Sequence, residues 1–180
     1  MTYVKASIPK LPGGGAAVPK KDRIHIFDVE DVETDIERTI GTTSSAGPIT
    51  LKQDAKGLSI QVSRPSIACG YENSGEVDAK VFADKVEFDY PGSNTAFDNF
   101  VEFYANRGVI IIVESCTGGA KVYGSKCNPL HLQAEPTDNH EANRTHLTFT
   151  QEMGDAFVPR TYTGAIPAVA DDASIENEGM

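Results

Sequence analysis

The run Val109-Ile110-Ile111-Ile112-Val113 is the longest strongly apolar stretch of the chain. All five residues are β-branched and no polar residue interrupts them, which is typical of a strand covered on both faces. Five residues are far fewer than the roughly 20 that a bilayer crossing requires. We therefore predict a buried strand at 109–113, in a chain whose 180 residues suit one domain.

The segment just before this strand has the pattern of a helix. Ser93 or Asn94 is suited to accept hydrogen bonds from the first helical N–H groups, and Gly108 stands where a helix-terminating glycine is expected. The apolar side chains of one face are Phe97, Phe100, Val101 and Tyr104. We predict one helix from about Asn94 to Arg107, packed beside the buried strand.

Several stretches alternate apolar and polar residues, as half-buried strands do. The clearest are Leu58–Ser63 and Lys85–Tyr90, the second of which is ended by Pro91-Gly92. Further strands are predicted at Lys121–Tyr123, Leu130–Ala134 and His146–Thr150, separated by Gly-, Pro- and Asn-containing turns. The fold class is therefore mainly β, a β-sandwich or barrel with one flanking α-helix.

An acidic region near residue 30 fits two structures. On a strand, Val32, Ile36 and Ile40 share one face and leave Glu33, Asp35 and Glu37 on the other. The same apolar residues, with Val29, also fit one side of a helix. We prefer the strand.

Both ends of the chain differ in composition from its middle. The first 21 residues contain Lys5, Lys10, Lys20 and Lys21 but no acid, together with three prolines and the triplet Gly13-Gly14-Gly15. Such a segment buries little apolar area, so residues 1–22 are predicted to be a flexible basic arm. Residues 23–164 form the β domain, and residues 165–180 are predicted to be an acidic, disordered tail.

The overall charge and the cysteines exclude some classes of protein. A formal charge of −10 opposes generic adhesion to nucleic acid or to an anionic membrane surface. Three cysteines, Cys69, Cys116 and Cys127, are an odd number, which does not suit a secreted scaffold stapled by disulfides. The N-terminus also lacks the apolar core of a signal peptide, so we expect synthesis in the cytoplasm.

No catalytic or metal-binding pattern is complete in the sequence. His140, Glu141 and His146 give the spacing His-Glu-x-x-x-x-His, whereas a zinc protease needs two residues between Glu and the second His. Gly13–Gly15 lacks the lysine and hydroxyl of a phosphate-binding loop. Ser44 and Ser45 lie outside any nucleophile-elbow pattern. We therefore predict neither an enzyme nor a bound cofactor or metal.

The order of these features resembles the tail tube proteins of bacteriophages, which are related to the tube proteins of contractile injection systems. The resemblance spans roughly residues 8–163 and is carried by four stretches: Leu11–Gly15, Ile24–Val29, Val86–Gly92 followed by the helix, and Val109–Glu114. It implies a β-sandwich protomer, six copies of which close into a ring, with rings stacking into a hollow tube.

The resemblance also implies partners and a location. The chain would contact itself and other tail proteins in the virion, with DNA passing through the tube and without contact to membranes. Acids opposite the apolar strand faces are candidates for the lumen wall: Glu33, Asp35, Glu37, Glu87 and Asp89. The basic-arm lysines at positions 5, 10, 20 and 21 are candidates for contacts between rings.

Two other classes stay open. A head-decoration or baseplate protein would share the β-sandwich and the self-assembly, but would stop at closed oligomers. A small ligand-binding β module would need an exposed aromatic platform, and this chain has no Trp and only six Tyr.

Overall fold

The computed structural model describes residues 5–41 and 48–173 of the chain. Ser44 and Ser45 lie outside the described residues, as do residues 174–180 of the predicted tail. Within the described ranges, the helix α1 spans Thr95–Tyr104. The strands are β1 (Lys20–Asp28), β2 (Val32–Thr34), β3 (Thr50–Leu51), β4 (Leu58–Gln61), β5 (Ala68–Ser74), β6 (Val81–Pro91), β7 (Gly108–Ser115), β8 (Ala120–Tyr123), β9 (Leu130–Asp138), β10 (Asn143–Gln151) and β11 (Arg160–Tyr162).

Nine of these strands form one antiparallel sheet that folds over into two layers. The first layer has the order β4-β1-β7-β8-β11, and the second has the order β9-β10-β6-β5. The layers are joined where Gly108 and Val109 of β7 pair with His131 and Leu130 of β9. The mainly β, sandwich-like fold with one α-helix is therefore confirmed.

Two apolar cores explain why β7 has no polar interruption. Val109, Ile111 and Val113 face the core between the two layers. Ile110 and Ile112 face a second core on the outer side of the first layer. Successive side chains of a strand point to opposite faces, so a strand between two cores must be apolar at every position. All five residues are buried, as predicted.

The alternating stretches form strands with the predicted faces inward. Val86 and Phe88 of β6 lie in the central core beside Leu147 and Phe149 of β10. The rings of Phe88 and Phe149 stack with their centres 5.7 Å apart. This packing leaves the intervening polar residues on the outside of the second layer.

The helix begins as predicted but ends earlier. The Asn94 side chain accepts a hydrogen bond from the Phe97 N–H, and the helix ends at Tyr104. Gly108 does not terminate the helix but opens β7. Glycine is needed at this position because a Cβ there would lie 2.5 Å from Pro129 Cγ.

The strand predicted through Val32, Ile36 and Ile40 is wrong beyond its first residues. Strand β2 ends at Thr34, and the chain then leaves extended pairing. Val32 and Ile36 are buried in the second core, whereas Ile40 is 57% exposed. The apolar side chains are thus buried by a short strand and an irregular segment that cover the first layer.

Both predicted domain boundaries are shifted. Strand β1 begins at Lys20, so Lys20 and Lys21 belong to the sheet and not to an irregular arm. At the other end, Ile166 and Val169 pack against the second core, and Gly57 N–H donates to Ala168 O at 2.9 Å. Residues 165–173 are therefore attached to the domain.

The described residues contain no helix long and apolar enough to cross a membrane. Cys69, Cys116 and Cys127 are all free thiols.

Candidate assembly surface

The outer side of the second layer is a broad polar surface, here called the open face. It consists of the side chains that alternate with the buried residues of β5, β6, β9 and β10. Its principal members are Glu72, Lys85, Glu87, Asp89, His131, Gln133, Glu135, His146, Thr148 and Thr150.

Strand register arranges the open face in rows. His146 of β10 is paired on one side with Asp89 and on the other with Glu135. Thr148 is likewise flanked by Glu87 and Gln133. Side chains directly opposite on antiparallel strands are about 5 Å apart at Cβ, so each row is a line of interacting groups.

Asp89 contacts two side chains of the neighbouring strand β10. Its carboxylate lies 2.6 Å from His146 Nδ1 and 3.3 Å from Arg144. Only 15% of the Asp89 side chain is exposed, and its backbone N–H donates to Ser66 Oγ at 2.8 Å. Asp89 thus helps to fix the end of β6.

Glu87 is paired with a cation on its own strand. Lys85 Nζ lies 2.9 Å from Glu87 Oε1 and 3.5 Å from Glu72 Oε1. The hydrogen bond to Glu87 is the main reason that the pKa of Lys85 is raised. The open face therefore carries both signs, and Lys85 is shared between two carboxylates.

The other three lumen candidates lie elsewhere. Glu33 and Glu37 are exposed in the segment that covers the first layer, on the side away from the open face. Asp35 was expected to face water, but its side chain is only 15% exposed. Its carboxylate is bound 2.8 Å from Arg38 and also accepts the backbone N–H groups of Ile36 and Lys126. The structure thus groups Glu87 with Asp89 and separates both from the acids of the 33–37 segment.

The four lysines also divide into two pairs. Lys5 and Lys10 are exposed in a segment without strand or helix. Lys20 and Lys21 lie in β1, where Lys21 Nζ is 2.6 Å from Glu114 Oε2. That hydrogen bond raises the pKa of Lys21 and, in turn, lowers the pKa of Glu114.

The strands at both sides of the second layer have unpaired edges in the described part of the chain. Strand β5 pairs only with β6. Strand β9 pairs with β7 only at Leu130 and His131, and beyond them only with β10. An unpaired strand edge presents N–H and C=O groups that can pair with another chain.

Sequence reasoning missed the contribution of β9 and β10 to the open face. The alternation His131-Leu132-Gln133-Ala134-Glu135 contained the signal, because it places three polar side chains on one face. Which strand lies next to Glu87 and Asp89 depends on the sheet order, and no local pattern encodes that order.

The described residues contain no cluster of three or more His, Cys, Asp or Glu side chains suited to a metal ion. His140 and Glu141 lie in the polar turn between β9 and β10, where Asn139 Oδ1 accepts the N–H groups of Glu141 and Ala142.

The fold and the open face together define a mainly β protein with a two-layer sheet and one polar outer side. Comparisons with protein-family models, curated proteins and solved structures return no match to this chain. Its function must therefore be argued from its own residues.

Proposed function

We propose that this chain is a structural protein that assembles with copies of itself into rings, and that stacked rings form a phage tail tube. The open face lines the lumen through which DNA passes, and other tail proteins bind the ends of the tube. The resemblance suggests six copies in each ring.

The observation that carries this proposal is the pair of unpaired edges at opposite sides of the second layer. If β5 of one copy pairs with β9 of the next, the interface joins two different surfaces of the protomer. Repeated contacts of this kind form a ring when the rotation closes. Closure would also pair the edges that the monomer leaves open.

The open face suits a channel wall because it is polar without being a strong anion receptor. Ion pairs such as Glu87 with Lys85 keep its cations engaged with carboxylates. Binding to DNA depends on cations that are free to neutralise phosphates. A wall with paired cations would let the polymer pass without holding it.

Electron microscopy and sedimentation velocity of the concentrated protein test the proposal, with crowding agents or preformed seeds added in parallel. We expect rings or tubes. The double variant Gly70→Lys/Ser74→Lys places two cations on the outer side of edge strand β5, where Gly70 has open space and Ser74 is exposed, and should abolish assembly. Val77→Lys, in the exposed turn after β5, is the matched control and should assemble normally.

Three outcomes would count against the proposal. A monomer under every condition would contradict self-assembly, and normal tubes from the β5 double variant would exclude the proposed edge. Closed oligomers that never stack would instead favour a head-decoration or baseplate protein.

A further inference from the structure

A groove of about 630 Å³ lies between β4 and the first turns of α1. Its apolar lining includes Leu58, Ile60, Tyr90, Ala96, Phe97 and Phe100, and the described C-terminal residues 170–173 form one rim.

Aromatic rings make one wall of the groove rigid. Tyr90 and Phe97 stack with their ring centres 4.0 Å apart and nearly parallel, and Phe100 follows at 6.2 Å from Phe97. Asn94 Nδ2 donates to Tyr90 Oη at 2.6 Å, so the residue that caps the helix also holds the tyrosine. Preformed aromatic grooves of this kind bind extended, proline-containing segments.

The other wall is the edge of β4, which already accepts extended chain. Gly57 N–H donates to Ala168 O, and Ala170 N–H donates to Gly57 O at 2.8 Å. Backbone groups alternate in direction along a strand, so Ser59 and Gln61 point to the same side as Gly57, into the groove. A peptide lying there can pair with this edge.

The chain itself contains a segment with matching chemistry. Ile8-Pro9-Lys10-Leu11-Pro12 lies in an irregular stretch, with Ile8 87% and Leu11 71% exposed. Two prolines three residues apart favour the polyproline II conformation. Lys10 lies between the two apolar residues, and exposed Asp171 lies on the groove rim.

We infer that this groove receives Ile8–Pro12 from the N-terminal segment of a second copy of the chain. Ile8 and Leu11 pack against the aromatic wall, and Lys10 faces Asp171. The inference rests on the proposed function, because it names the receptor for the segment that would link neighbouring subunits.

The attachment of the N-terminal segment favours a second copy over the same chain. Pro19 O accepts the Cys116 N–H at 2.9 Å, and Lys20 pairs with Ser115 of β7. In the single chain, Ile8 and Leu11 are exposed and none of residues 8–12 lines the groove, so the chain's own segment does not occupy it.

A peptide-binding measurement tests the inference without requiring rings. A fluorescent peptide of residues 5–12 is titrated with the full chain, kept dilute enough to be monomeric, and its anisotropy is recorded. Ala96→Arg fills the groove from an exposed helix position and should weaken binding at least tenfold. Asn99→Arg, exposed on the same helix but outside the groove, should bind within twofold of the unchanged protein.

The assembled protein provides the second readout. Ile8→Ser/Leu11→Ser alters only exposed side chains and should reduce ring stacking, as should Ala96→Arg. An absence of saturable peptide binding, or equal binding by Ala96→Arg, would overturn the inference while rings could still form. The NMR signals of α1 in the dilute monomer distinguish the two possible donors of the segment. If Ile8→Ser/Leu11→Ser changes these signals, the chain's own segment fills the groove, and the inference that a second copy supplies it is wrong.

Discussion

The carboxylate of Asp84 accepts a 2.8 Å hydrogen bond from the backbone N–H of Gly124 and so links the two layers of the sheet. Asp84 belongs to β6 in the second layer, whereas Gly124 directly follows β8 in the first. Asp84 is only 7% exposed, and its Oδ1 has no hydrogen-bond partner among the described residues. Burial raises its pKa from an ordinary 3.8 to about 6, although the Gly124 hydrogen bond acts in the opposite direction.

The first prediction concerns pH. Because the folded-state pKa of Asp84 is above its unfolded value, the folded protein binds the extra proton between about pH 4 and 6. The free energy of unfolding should therefore fall as pH rises through this window, with Asp84 contributing up to about 3 kcal/mol. Urea unfolding at pH 4.5 and 7.5 measures the change.

Asp84→Asn is the matched variant for this prediction, since an amide oxygen can still accept from Gly124. Other carboxylates titrate in both proteins, so the difference between the two isolates Asp84. The variant should gain stability relative to the unchanged protein as pH rises. A difference that is independent of pH would contradict a raised pKa at Asp84.

The second prediction concerns the helix. Phe97→Ala removes a buried ring that stacks on Tyr90, and should lower the free energy of unfolding by about 3–5 kcal/mol. Phe100 is only partly buried, so Phe100→Ala should cost less. Phe103→Ala, at an exposed position of the same helix, serves as the control. Equal thermal midpoints for the Phe97 and Phe103 variants would mean that α1 does not close the central core.

The third prediction concerns the close approach at Gly108. In Gly108→Ala, the new Cβ would lie 2.5 Å from Pro129 Cγ and 2.7 Å from Pro129 Cβ. Either β7 or the loop that contains Pro129 must therefore shift. We expect a loss of about 1–3 kcal/mol, as for other overpacked sites. Gly70→Ala meets nothing within 4 Å and should be nearly neutral. Chemical denaturation of both variants checks this, and a neutral Gly108→Ala would show that the loop yields freely.

The fourth prediction concerns the N-terminal segment. Deleting residues 2–18 removes only side chains that are exposed where the structure describes them, and retains the Pro19 carbonyl that accepts from Cys116. The domain should remain folded by circular dichroism, while electron microscopy should show weaker stacking. Loss of the β spectrum would place the segment in the core, and normal tubes would show that stacking does not need it.

The fifth prediction concerns the lumen. Glu87→Lys reverses the charge beside Lys85 on the open face, so it should make assembled tubes retain DNA in a co-sedimentation assay. Glu76→Lys makes the same charge change in the exposed turn between β5 and β6 and should not retain DNA. If both variants behave alike, Glu87 does not line the channel. Asp89→Lys is a poorer test, because it would remove the carboxylate that contacts His146 and would place a second cation beside Arg144.

Local patterns in the sequence predicted most of the regular elements. The alternation of β4 and β6 and the uninterrupted apolar run of β7 reflect how far each side chain is removed from water, which is a property of the strand itself. The Asn94 cap was predictable for the same reason, because it depends on a contact only three residues away.

Other features were decided by packing between distant segments. Ile40 was assigned to a buried face but is exposed, because the chain leaves strand geometry after Thr34. Asp35 was expected to face water, yet Arg38 and a backbone N–H from residue 126 enclose its carboxylate. Neither the end of a three-residue strand nor a contact 91 residues away follows from local spacing.

By itself the sequence determined that the protein is mainly β, with a strand buried on both sides and a capped helix before it. Only the tertiary structure decided that β9 and β10 lie beside β6, that Glu87 and Asp89 share a surface without Glu33, and that the 165–173 segment docks against Gly57. The physical reason is range: burial and capping act within a few residues, whereas sheet order and register depend on which distant strands meet.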